Sequence, residues 1–149
     1  MCDYSLAALR TRLAAEGEQL VVYRFPTGTL GLTSPDELAK YKKELRGWRS
    51  WFNRREVPCA VCIPPYARLL LRDIPERLQR QLGISAVEEV LFIHMSAMPG
   101  RHRDGVRFRN NQEVLLQHLA EGQRADVLLL STLSEQEVNA MDYTGAAIG

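Results

Sequence analysis

Beyond Pro58 the chain alternates short apolar runs with turn residues and leaves almost no room for helix. The runs are Ala60–Ile63, Ala67–Leu71, Val87–Ala97, Val106–Phe108, Glu113–Leu119 and Ala125–Leu130. Between them stand Pro64-Pro65, Gly83, Arg109-Asn110-Asn111-Gln112 and Glu121-Gly122-Gln123. A parallel strand pair needs a crossover of roughly a dozen residues, so strands joined by such short turns pair antiparallel. Asn110-Asn111 suits the positive φ of a tight hairpin. Only Pro75–Leu82, with proline at its start and Gly83 at its stop, reads as a helix in this stretch. The pattern predicts an α+β, mainly β chain: a small antiparallel β-barrel or curled sheet over about residues 19–131.

The first part of the chain adds one strand and one long helix. Gln19–Phe25 reads as a strand, and Thr27–Leu32 as a turn followed by a short extended piece. Leu6, Leu9 and Leu13 at i, i+3 and i+7 predict a short amphipathic helix at the N-terminus. Ser34, Pro35 and Glu37 have the spacing of a capping box with proline at the first helical position. From there Leu38, Tyr41, Leu45, Trp48 and Phe52 form one apolar stripe, predicting an inserted amphipathic helix over about residues 35–55 with that stripe packed against the barrel or a second subunit. Lys40, Lys42, Lys43, Arg46, Arg49, Arg54 and Arg55 flank it against a single acid, Glu44.

Composition excludes several classes. The chain has 149 residues, 46% hydrophobic and 25% charged, which is the range of an ordinary globular fold rather than a disordered, collagenous or coiled-coil one. No apolar run approaches the ~18 residues of a membrane span. Arg10, Arg12, Glu16 and Glu18 interrupt the segment where a signal peptide would be apolar. With 19 basic and 18 acidic residues, there is no overall electrostatic footprint for nucleic acid. Three cysteines, an odd number, argue against a disulfide framework and for a reducing, cytoplasmic setting. Residues 132–149 carry Glu135, Glu137 and Asp142 with no Lys or Arg, and are expected to form a mobile acidic tail after one β-rich domain over 1–131.

Three groups of residues bear chemistry. Cys2, if exposed as the first residue by removal of Met1, would carry an α-amine that can serve its own thiol as a base. Met1-Cys2 resembles the opening of N-terminal-nucleophile amidotransferases, although Asp3 stands where those have glycine. Cys59-Ala60-Val61-Cys62 is a CxxC. On a strand its sulfurs face opposite ways, and Pro64-Pro65 blocks the helix that a redox motif would need, so buried structural thiols are expected. His102 and Asp104 have the H-x-D spacing of a metal site, with His118 as the available third ligand. Pro99-Gly100 before them is similar to the first motif of cupin barrels, which implies a cupin-like alternative.

The basic helix is the remaining feature. Trp51 lies off the apolar stripe, so aromatic surface is expected there, with Trp48, Trp51, Arg49, Arg54 and Arg55 as partner-binding candidates. Met1-Cys2-Asp3-Tyr4-Ser5-Leu6, Val61-Cys62-Ile63-Pro64-Pro65, Glu113-Val114-Leu115-Leu116-Gln117 and Glu121-Gly122-Gln123 resemble a group of small bacterial proteins that open with that hexapeptide. The resemblance implies a bacterial source and no particular activity. The expectation is a non-catalytic accessory module without cofactor, binding a protein partner or itself rather than nucleic acid or a membrane surface. The alternatives are a metal-dependent cupin-like enzyme using His102, Asp104 and His118, or a hydrolase built on Cys2.

Overall fold

Buried apolar side chains from the strands of the large sheet together line one concave face. The computed structural model describes residues 9–47, 57–95 and 102–130. In chain order the elements are β1 (Thr11–Leu13), β2 (Gln19–Arg24), β3 (Leu30–Thr33), α1 (Pro35–Arg46), β4 (Ala60–Cys62) and β5 (Arg68–Arg72). They continue with α2 (Glu76–Leu82), β6 (Glu88–His94), β7 (Asp104–Phe108), β8 (Glu113–Leu115), a 3-10 turn (Leu116–His118) and β9 (Arg124–Leu129). Among the described residues no helix is long and apolar enough to cross a membrane.

Seven strands form one antiparallel sheet in the order β3-β2-β9-β5-β6-β7-β8, curled into a half-barrel. Leu20 and Val22, Leu69 and Leu71, Val90 and Phe92, Val106 and Phe108, and Ala125 and Val127 fill its inner face. Ile74 and Leu78, the latter on α2, join the same core. The outer face is tied by cross-strand ion pairs: Arg72 Nε to Asp126 Oδ2 at 2.6 Å, Arg107 to Glu113 at 2.8 Å, and Arg109 to Glu89 at 2.9 Å. Between β5 and β9 the register slips at Arg68/Leu69, a bulge of the kind that sharpens a sheet's curl.

The curl brings the two edges of the sheet together. The Leu30 amide donates to Gln117 Oε1 at 2.9 Å, and Gln117 Nε2 donates to the Leu30 carbonyl at 2.7 Å. One side-chain amide thus stands where a strand's backbone would, satisfying both polar groups of an edge residue.

The sheet and hairpin expectations hold closely, and Asn111 takes the positive φ, 66°, that the β7–β8 turn requires. Gly83 closes α2 in the left-handed conformation, as its position predicts. Four expectations are corrected. Thr11–Leu13 is a strand, not the end of a helix, because it pairs with β4; Leu13 is 71% exposed and so gains no core contact from helical periodicity. That β1–β4 pair is parallel, unlike every pair of the large sheet, and residues 14–59 supply its crossover. Helix α1 ends at Arg46, where Gly47 turns extended with φ −77° and ψ 143°. The last apolar run, Glu113–Leu119, is a three-residue strand continued by the 3-10 turn.

The stripe of α1 is only partly docked. Leu38 is 8% exposed, whereas Leu45 is 38% exposed. Ser34 occupies the N-cap with extended geometry, but no side-chain capping bond forms. Glu37 instead reaches out of the helix, and its Oε2 accepts the Cys59 amide at 2.9 Å. The residues of the stripe at 48 and 52 lie outside the described residues, as does the tail from 131 onward.

Candidate functional site

The cross-strand register of β6 and β7 places His94 opposite Asp104. The Asp104 carboxylate is buried, with its Oδ1 3.6 Å from Nε2 of the more exposed His94. Phe92 stands edge-on to the imidazole with ring centroids 6.2 Å apart. The Met95 amide donates to the Arg103 carbonyl at 2.7 Å, extending the pairing one step past His94. Met95 also folds across Gly105, where a Cβ would collide with it. Asp104 therefore meets His94 across the ladder, although it stands two residues from His102 in sequence. His94 was not among the predicted ligands, and only the register of two strands reveals it.

His102 and His118 are both exposed, His118 on the 3-10 turn beyond β8. Among the described residues, no group of three or more His, Cys, Asp or Glu side chains is arranged to hold a metal ion. The structure brings together an acid and an imidazole. Such a pair can orient a ring tautomer or hold a proton.

The CxxC pair lies where β1, β3, β4 and α1 meet. Cys59 is a free, buried thiol, and Cys62 is disulfide-bonded. That bond corrects the expectation of two buried structural thiols in the CxxC, since only Cys59 of the pair is a free thiol. Burial pushes the Cys59 thiol above its ordinary pKa, and the Glu37 carboxylate adds to the rise against Arg10 and Arg12. A thiol held protonated in this way is a poor nucleophile. Cys2 lies outside the described residues.

The third surface is the outer side of α1. Lys40, Lys42, Lys43 and Arg46 are exposed there beside Leu45, and Leu38 alone on this helix is buried. Of the predicted partner-binding residues, Trp48, Arg49, Trp51, Arg54 and Arg55 lie outside the described residues. No family model matches the chain, and comparison with curated proteins and with solved structures finds no match.

Proposed function

We propose that the chain is a non-catalytic interaction module in which the curled sheet is the scaffold and α1 the recognition element, taking a protein partner rich in acidic side chains. One observation carries this reading: α1 commits Leu38 to the core and leaves Lys40, Lys42, Lys43, Leu45 and Arg46 in solvent. Basic side chains around a half-exposed leucine suit a partner surface with carboxylates around an apolar contact.

Affinity capture followed by quantitative mass spectrometry tests it, using the wild-type chain and a Lys40→Glu/Lys43→Glu/Arg46→Glu variant. The expected result is a defined protein held by the wild type, released by moderate salt and lost on charge reversal at unchanged melting temperature. Capture that is indifferent to the charge reversal would overturn the reading. Sedimentation of the two chains alone reports whether a second copy is the partner.

A further inference from the structure

We propose that His94 and Asp104 are two ligands of a site for a divalent transition metal of the zinc class, at the rim of the concave face, with His102 as the third. Strand alternation sets them on one side. Val90 and Phe92 precede His94 at steps of two, and Val106 and Phe108 follow Asp104 at steps of two; all four lie in the core. His94 and Asp104 therefore turn to the concave side, where the sheet ends.

The ladder brings the two side chains close. They stand directly opposite each other in the β6–β7 register. The Met95 amide donates to Arg103 across that pair at 2.7 Å, whereas the Phe92 amide donates the other way, to Ala67 ahead of β5, at 2.8 Å. His94, two residues after Phe92, likewise turns its backbone from β7, so His94 and Asp104 form a non-hydrogen-bonded pair. Side chains approach most closely at such pairs.

The spacing of the polar atoms fits a shared ion better than a direct bond. Asp104 Oδ1 and His94 Nε2 are 3.6 Å apart, longer than a normal N–H···O bond. Two donors each about 2.1 Å from a tetrahedral zinc ion stand roughly 3.4 Å from one another. Asp104 is only 4% exposed, and a carboxylate buried that deeply is held favourably by a cation. Imidazole and carboxylate together suit zinc, copper or nickel rather than magnesium or calcium. The edge-on contact with Phe92 steadies the His94 ring.

His102 lies two residues before Asp104 on the approach to β7, on the same side of an extended chain, and is exposed. Among the described residues no three donors are yet grouped around an ion, so completing the site takes a rotation of the His102 side chain into the rim. Solvent takes the fourth position of the ion. The inference is independent of the reading of α1 as a partner surface, because neither α1 nor a partner enters its test.

The test uses the full untagged chain, stripped with a chelator and titrated with Co²⁺ alone, then with Zn²⁺. Visible absorption and calorimetry are the readouts. Expected is one cobalt per chain with the spectrum of a tetrahedral ion on nitrogen and oxygen, displaced by zinc. Zinc at a hundredfold excess over its Kd should raise Tm by on the order of 10 °C. His94→Ala, Asp104→Asn and His102→Ala should each weaken zinc at least about tenfold, and His118→Ala should not. Should Asp104→Asn fail to fold, His102→Ala, at an exposed position, decides alone. No saturable cobalt binding, a sulfur-to-cobalt charge-transfer band, dependence on His118, or zinc binding unaltered by His102→Ala would overturn the site.

Discussion

Gly105 faces outward on β7 between Ile93 and Leu115, with Met95 folded across it and the Val114 carbonyl 2.8 Å from where a Cβ would stand. The methionine can swing aside but the carbonyl belongs to the sheet, so Gly105→Ala should cost about 1–3 kcal/mol. Urea melts check this, and Met95→Ala in the same chain should recover only part of the loss. Gln117 is a second such position. Gln117→Ala strands the amide and carbonyl of Leu30 at the seam and should cost about 1–3 kcal/mol. Gln117→Glu retains the acceptor but places a second acceptor against the Leu30 carbonyl, so it should also destabilise at neutral pH. Both roles depend on residues far apart in sequence, which is why neither stood out there. Gln117 sits in a run that reads as strand, where a single polar residue beside leucines is ordinary.

Helix α1 separates what local chemistry shows from what tertiary structure decides. Ser34 and Pro35 mark its start unambiguously, because N-cap geometry and the fixed φ of proline are properties of the residues themselves. Its end comes earlier than the stripe suggests, and within it Leu38 is buried while Leu45 is exposed: a stripe at steps of three and four says which residues share a side, not how far the core extends beneath them. Leu38→Ala should therefore cost about 2–5 kcal/mol and Leu45→Ala less than about 1 kcal/mol. Equal costs for the two, measured by thermal or urea melting, would mean the helix packs along its whole length. Strand β1 was the opposite case. Three residues carry too little pattern to reveal a parallel partner, and Leu9 and Leu13 happened to fall at helical spacing. Hairpin β7–β8 was legible because Asn110-Asn111 sits between two runs of the right length.

Across the whole molecule, acid should loosen the fold through two carboxylates, one just ahead of β2 and one on β9. Hydrogen bonds from Arg12 hold Glu18 below the usual carboxylate range against the opposing effect of burial, with the Ala15 amide and the charge of Arg12 assisting. Burial pushes Asp126 upward, but the hydrogen bonds from Arg72 and Gln19, with the charges of Arg72 and Arg124, together outweigh it and the net shift is downward. A carboxylate with a lowered folded pKa binds fewer protons folded than unfolded. Its contribution is complete above the unfolded value of about 4 and is lost as pH falls through the folded value. Urea midpoints should therefore decline below about pH 4.5, with a shallower slope in Glu18→Gln and Asp126→Asn. Of the candidate sites, sequence points to Asp104 and the CxxC but not to His94 or to the bonded state of Cys62, and the His94–Asp104 pairing is decided by a strand register. The position of β9 carries a consequence for synthesis. It is the last described strand, yet it lies between β2 and β5 in the middle of the sheet. A ribosome delivering this chain exposes two separate half-sheets, each with a raw edge, until residues 124–129 emerge to join them. Nascent chains stalled before Arg124 should be open to proteases and prone to self-pairing, and protection should appear in one step once β9 clears the exit tunnel.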